Sequence, residues 1–182
     1  MSRPDFVGIG AQKAATTWLF KRLSMHPDVY FPRGKEIRFR DRRETVGRPL
    51  KEYQRIFSGL QVNHIGGKTG DITPAYLRIS DTLIKKFKEL APDVRLMVIL
   101  RNSVERSISA AAQVIRNKES SADQSDPRVY DLIDQALLNT TRSPTPNRLE
   151  VAPEQMARLK STYRDDLTQL ESLLNRSFGW DI

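Results

Sequence analysis

The sequence predicts an α/β fold in which a parallel β-sheet is covered by helices, and three observations lead to this prediction. Short runs of strand-forming residues, such as Phe6–Gly10 and residues 94–100, alternate with stretches of helical periodicity. A glycine closes the first run, and hydroxyl residues open the helix after it. Residues 94–100 are nearly all strand-forming, which is typical of a parallel strand buried on both faces.

The other elements are predicted from periodicity and from residues that start or stop helices. A weak strand is expected at residues 65–68, and Asp81 is expected to cap the helix that follows it. Residues 140–151 are polar and contain two prolines, so they are predicted to form a loop. Helices are expected at residues 16–23, 48–57, 81–90, 104–115, 128–138 and 153–174.

Length and composition limit the classes to which the protein can belong. With 182 residues, of which 38% are hydrophobic, the chain is expected to form a single domain, 1–182, with its own core. It has no cysteine and two histidines, so no metal site is expected. The apolar runs are shorter than the roughly 18 residues of a membrane span. The N-terminus lacks a secretory signal, so we expect a cytoplasmic protein without a membrane span.

The net charge of +8 is compatible with nucleic acid, membrane phosphates, a polyanionic substrate or simple solubility. Four arginines follow one another closely and are interpreted as solvated surface: Arg38, Arg40, Arg42 and Arg43. No zinc-finger, basic-zipper or RNA-stacking pattern accompanies them, so no nucleic-acid partner is predicted.

Residues 10–17, GAQKAATT, lie between a predicted strand and a predicted helix. Backbone N–H groups and the positive end of the helix dipole bind anions at such a place. Lys13 adds a cation, and Thr16 and Thr17 add hydroxyl donors. The segment differs from the nucleoside-triphosphatase loop G-x-x-x-x-G-K-S/T, because its lysine precedes the small residues Ala14 and Ala15. A phosphate site is therefore predicted, with an ordinary strand-to-helix turn as the alternative.

Three segments, in this order, resemble the heparan-sulfate-type sulfotransferase family. Residues 10–29 are similar to the family's 5′-phosphosulfate loop, residues 35–39 (KEIRF) to its K-E-x-x-F-F segment, and residues 100–109 (LRNSVERSIS) to L-R-D/N-P-x-x-R-x-x-S. Residues 70–77 (GDITPAYL) match G-E-K-T-P-x-Y-L less well, because Ile72 stands where many members have lysine. The resemblance covers residues 5–117 and about 153–182.

The resemblance implies that 3′-phosphoadenosine 5′-phosphosulfate donates a sulfuryl group to a hydroxyl or amine, with a carbohydrate as one candidate acceptor. It implies that Glu36 is the general base and that Lys13 stabilises the leaving phosphate. Arg101 and Ser109 would hold the 3′-phosphate. The residues assigned to the donor are Lys13, Ala14, Ala15, Thr16, Thr17, Arg101 and Ser109.

The resemblance also implies a P-loop-like parallel sheet flanked by helices, with fewer strands than the full family domain. The chain is short between residues 138 and 153, where the family has further helices and a strand. Arg142 and Arg148 lie there without an assigned role. One alternative is a non-catalytic descendant that binds nucleotide or a partner. Another is a P-loop kinase, although Arg101 and Asn102 follow the predicted strand where a Mg²⁺-binding acidic residue is needed.

Overall fold

The computed structural model describes residues 3–39, 49–58, 67–117 and 151–182, and it places a four-stranded sheet in the first part of the described chain. The chain divides into two compact units, Met1–Leu100 and Arg101–Ile182. The predicted helix at residues 128–138, the predicted loop and the shortened segment lie outside the described residues. So do Arg40, Arg42, Arg43, Arg142 and Arg148.

The first unit contains all the strands found in the described residues. Its elements are β1 (Phe6–Gly10), α1 (Thr16–Ser24), β2 (Val29–Tyr30), α2 (Leu50–Phe57), β3 (Lys68–Ile72), a 3₁₀ helix (Pro74–Arg78), α3 (Asp81–Leu90) and β4 (Arg95–Val98). The second unit contains α4 (Ser103–Asn117) and α5 (Pro153–Leu174).

The strands run in the order β2-β3-β1-β4, and every neighbouring pair is parallel. Phe6 lies opposite Gly70 on one side of β1 and opposite Arg95 on the other. A Cβ at Gly70 would lie 2.2 Å from the Phe6 ring, so this register needs a glycine there. The carboxyl ends of β1 and β3 consequently meet at one edge of the sheet. The predicted α/β fold with a parallel sheet is confirmed.

Tyr53 lies at the centre of the first unit's core. Its fully buried ring contacts Phe39, Phe57 and Phe87 at centroid distances of 5.3, 5.1 and 5.2 Å. Val7 of β1 belongs to the same cluster. These contacts join α2 and α3 to the sheet and to Phe39.

The second unit has a core of its own, formed by Val104 of α4 with Leu159 and Tyr163 of α5. The hydroxyls of Ser107 and Tyr163, both buried, form a hydrogen bond of 2.7 Å between the two helices. The predicted apolar face of the last helix is confirmed where it meets this core. It does not extend to the end of the helix, since Leu174 is 47% exposed.

Two local predictions are wrong, those for residues 94–100 and for Asp81, and a third falls partly outside the described residues. Residues 94–100 were expected to form a strand buried on both faces, but β4 is an edge strand among the described ones, and Leu96 and Val98 are 62% and 43% exposed. Apolar composition reports the tendency to form a strand rather than its place in the sheet. For the weak strand expected at residues 65–68, residues 65 and 66 lie outside the described residues, and β3 begins at Lys68. Asp81 is the first residue of α3 and follows the cap position, Ser80.

Candidate active site

Residues 10–17 connect β1 directly to α1, as predicted. Lys13 and Ala15 adopt left-handed backbone conformations, with φ angles of 61° and 60°, and α1 begins at Thr16. Alternation of this kind turns successive N–H groups towards one side of a loop, and such concavities bind anions. The first amides of a helix also lack carbonyl partners within that helix. The loop therefore has the backbone shape of a phosphate site.

Hydrogen bonds from the neighbouring strand end hold this loop. The N–H of Ala11 donates to the carbonyl of Ile99 at 3.0 Å, and the N–H of Ile99 donates to the carbonyl of Gly10 at 2.9 Å. Ala14 and Thr16 are buried, whereas Ala15 and Thr17 are exposed. Since the Ala14 methyl packs inwards, any contact of this residue with a ligand would use its backbone.

Glu36 lies in the irregular segment after β2, and its carboxylate is held by two cations. Lys35 Nζ donates to Oε1 at 2.5 Å, and Arg38 Nε donates to Oε2 at 2.6 Å. Burial alone would raise the pKa of Glu36, but the hydrogen bonds and charges of Lys35 and Arg38 outweigh it and hold the pKa below its usual range. Glu36 is therefore ionised at neutral pH. Arg38, interpreted from sequence as solvated surface, instead pairs with this carboxylate.

Glu36 and the loop of residues 10–17 are both attached to the carboxyl edge of the sheet. The N–H of Glu36 donates to the carbonyl of Ile72, the last residue of β3, at 2.9 Å. The N–H of Thr73 donates at 2.9 Å to the carbonyl of Gly8 in β1. Residues 72 and 73 thus connect the backbone of Glu36 to the strand that leads into the loop.

Asp71, at the end of β3, is a buried carboxylate that the sequence analysis did not select. Thr73 donates its hydroxyl to Oδ1 at 2.7 Å, and Tyr53 donates to Oδ2 at 3.0 Å. The hydroxyl of Tyr76 and the N–H of Ile37 also favour the ionised form of this carboxylate. Burial raises the pKa of Asp71 despite these hydrogen bonds. The sequence did contain a signal for this residue, because Asp71 is the only charged residue after Lys68 in the short strand.

Arg101 and Ser109, assigned to the 3′-phosphate by resemblance, belong to the second unit. Arg101 Nε donates to Glu105 Oε2 at 3.2 Å. The side chain of Asn102 caps α4, because its Oδ1 accepts the N–H groups of Val104 and Glu105 at 2.9 and 3.3 Å. Ser109 is half-buried on α4. An anion bound to Arg101 would share the guanidinium with Glu105.

In the described ranges, no group of histidine, cysteine, aspartate or glutamate side chains is arranged to hold a metal ion. Nor does any helix in those ranges have the length and apolar character needed to cross a bilayer.

No family model matches the chain. Human heparan sulfate glucosamine 3-O-sulfotransferase 5 is 28% identical over 116 residues, which are 64% of this chain and 32% of that protein. Heparan sulfate glucosamine 3-O-sulfotransferase 6 of Mus musculus is 33% identical over 113 residues, 62% of this chain and 31% of that protein. The chain therefore spans about a third of the length of these curated relatives.

The fold has a counterpart among solved structures. The crystal structure of a sulfotransferase from Alicyclobacillus acidocaldarius superimposes with a TM-score of 0.70 over 98% of each chain, at 22% sequence identity. At this identity the likeness shows the fold, while the sequence relatives carry the relationship. The chain thus has the fold of a solved sulfotransferase and is similar in sequence, over 62–64% of its length, to heparan sulfate glucosamine 3-O-sulfotransferases.

Proposed function

We propose that this chain transfers a sulfuryl group from 3′-phosphoadenosine 5′-phosphosulfate to a hydroxyl or amine, with a carbohydrate as the first acceptor class to test. The observation that carries the proposal is the attachment of two features to one sheet edge. These are the loop of residues 10–17 with its Lys13 cation, and the ionised carboxylate of Glu36. The acceptor class is suggested by the names of the relatives, which are heparan sulfate glucosamine 3-O-sulfotransferases.

The proposed reaction is an in-line displacement at sulfur. Glu36 accepts the proton of the acceptor's O–H or N–H as that atom bonds to sulfur. The bond between sulfur and the bridging oxygen of the 5′-phosphate breaks, and its electron pair stays on that oxygen. Lys13 and the loop amides stabilise the developing charge, while Arg101 and Ser109 bind the 3′-phosphate.

The ion pairs of Glu36 are compatible with this role, but they make Glu36 a weaker base. A carboxylate offers about four lone-pair sites, so Lys35 and Arg38 leave acceptor capacity on both oxygens. Because these cations lower the pKa, the ionised form is maintained and its affinity for a proton is reduced.

A second candidate is a chain that binds the nucleotide without transferring sulfate. The pairing of Glu36 with two cations favours it, as does Ile72. This residue stands at the family's lysine position, and its side chain is completely buried. The kinase alternative is weaker, because Ile99, Leu100 and Arg101 follow β4 and none is acidic.

Donor binding is tested by thermal unfolding with 3′-phosphoadenosine 5′-phosphate. A ligand at 100 times its Kd stabilises by about 2.7 kcal/mol, and we expect a shift of this order with little response to Mg·ATP. Lys13→Met should remove most of the shift. The matched control is Lys21→Met in the last turn of α1, which should retain it. Stabilisation by Mg·ATP alone would favour the kinase alternative.

Transfer is tested with a radiolabelled donor and heparan sulfate as acceptor. Glu36→Gln should lower the rate about 10²- to 10⁴-fold while leaving nucleotide stabilisation intact, because general-base catalysis is worth that much. Glu89→Gln, on the exposed surface of α3, is the matched control. An undiminished rate in Glu36→Gln would overturn the base assignment. Nucleotide binding without transfer to any carbohydrate acceptor would favour the second candidate.

A further inference from the structure

The backbone of residues 36–39 is held by an unusual set of contacts. Three N–H groups of this short segment donate to residues 72–76: Glu36 to the carbonyl of Ile72 at 2.9 Å, Arg38 to the hydroxyl of Thr73 at 3.3 Å and Phe39 to the hydroxyl of Tyr76 at 2.9 Å. The conformation of the loop that carries Glu36 therefore depends on the end of β3 and the 3₁₀ helix.

This loop needs such support because of its backbone conformation. Glu36 and Arg38 have φ angles of 62° and 51°, in the left-handed region that residues other than glycine avoid. Such residues persist only where the surrounding structure determines their conformation. Weakening the hydrogen bonds from residues 36–39 would let the loop relax and would move the Glu36 side chain.

Asp71 determines the direction of the bond between Arg38 and Thr73 without touching the backbone of Arg38. The hydroxyl of Thr73 donates its single proton to Asp71 Oδ1, so its lone pairs are available to the N–H of Arg38. The hydroxyl of Tyr76 accepts the N–H of Phe39 at 2.9 Å and interacts with the same carboxylate. A hydroxyl whose proton pointed at the loop would present a donor to a donor.

We propose that Asp71 is a positioning residue for the proposed base. Its carboxylate orients the hydroxyl of Thr73 as an acceptor for the N–H of Arg38, and thereby holds residues 36–39 in the conformation that directs Glu36. This inference rests on the proposed function for its catalytic consequence, but its structural part stands without it. Tyr53 of α2 completes the arrangement by donating to Asp71 from the core side.

The structural part is tested by amide hydrogen exchange. Asp71→Asn places an NH₂ group among these donors, and Thr73→Val removes one acceptor while keeping the side-chain shape. Both variants should accelerate exchange at Arg38 and Phe39 by about tenfold, the effect of a change of about 1.4 kcal/mol in the opening equilibrium. The matched control is Thr69→Val, which removes a buried hydroxyl from the same strand away from this loop. The inference would be overturned if the exchange rates at Arg38 and Phe39 in these variants changed no more than they do in Thr69→Val.

The catalytic part is tested by comparing the effect of each substitution in the wild-type chain with its effect in a Glu36→Gln background. Asp71→Asn and Thr73→Val should lower kcat about 10- to 100-fold, with little change in the donor KM or in stabilisation by 3′-phosphoadenosine 5′-phosphate. In a Glu36→Gln background the same substitutions should cost almost nothing, because they act through Glu36. An equal further loss in that background would overturn the positioning role. Thr73→Val keeps the test open if Asp71→Asn fails to fold.

Failure of the proposed function has a different signature. If the wild-type chain transfers no sulfate, or if Glu36→Gln is as active as wild type, the function or its base is wrong. The exchange experiment still decides whether Asp71 holds residues 36–39.

Discussion

At the scale of single residues, Glu36 combines two roles that oppose each other. Its carboxylate must accept a proton in the proposed reaction, yet it also binds Lys35 and Arg38 within its own loop. Asp71 differs from it, because burial raises the pKa of Asp71 whereas the neighbouring cations lower that of Glu36. The two carboxylates therefore affect stability in opposite directions as pH changes.

The ion pairs of Glu36 should contribute stability that depends on pH. A carboxyl group whose folded pKa is depressed stabilises the fold above its unfolded pKa, and this contribution is lost as pH falls through the folded pKa. The usual value for Glu36 is 4.5, so the stability difference between wild type and Glu36→Gln should be constant from neutral pH down to about pH 5 and should shrink below 4.5. Urea unfolding at several pH values measures it. A difference that grew on acidification would contradict the ion-pair account.

At the scale of elements, a hydrogen bond between two hydroxyls joins α4 and α5 beside their apolar contacts. Ser107 of α4 and Tyr163 of α5 are both buried, and their hydroxyls lie 2.7 Å apart. Tyr163→Phe should lower the free energy of unfolding by about 1 to 2 kcal/mol, because it removes one partner of a buried hydrogen bond. Equilibrium denaturation measures this loss.

The double variant with Ser107→Ala is the control for this pair. Since it removes both hydroxyls, its loss should be smaller than the sum of the two single losses. Strictly additive losses would show that the hydrogen bond contributes nothing to the packing of α4 on α5.

The sequence predicts elements well where the signal is local. The last helix has the predicted bounds, Pro153–Leu174, because Pro153 opens it and its apolar positions recur at helical spacing. The loop of residues 10–17 was likewise found from a glycine, a lysine and hydroxyl residues in one short segment. The exposure of β4 escaped prediction, because strand order depends on which strands pair and not on the composition of one strand.

The candidate site was predictable only in part, for the same reason. Lys13 and Glu36 stand in short motifs, and both lie where strand ends or loops bring them to one sheet edge. The contacts of Asp71 join it to Tyr53, Tyr76 and Ile37, which are distant in sequence or lie in other elements. Such a network becomes visible only when the chain is folded. The roles assigned to Arg101 and Ser109 stay predictions.

At the scale of the whole molecule, charge should contribute to nucleotide binding. The chain carries a net charge of +8, and a nucleotide with phosphates at two positions is strongly anionic. Raising the salt concentration from about 0.1 M to about 1 M shortens the screening length from about 10 Å to about 3 Å. The contribution of phosphate contacts to nucleotide affinity should then fall more than that of base and ribose contacts.

We therefore expect the Kd of 3′-phosphoadenosine 5′-phosphate to rise with salt more steeply than that of adenosine 5′-monophosphate, which lacks the 3′-phosphate. The excess slope should disappear in Arg101→Gln, because this variant removes the guanidinium proposed to bind the 3′-phosphate. Arg95→Gln, an exposed arginine of β4, is the matched control and should keep the slope. Calorimetric titration at several salt concentrations measures each value. Equal slopes for the two nucleotides in the wild-type chain would mean that no cation binds the 3′-phosphate, and Arg101 would lose its proposed role.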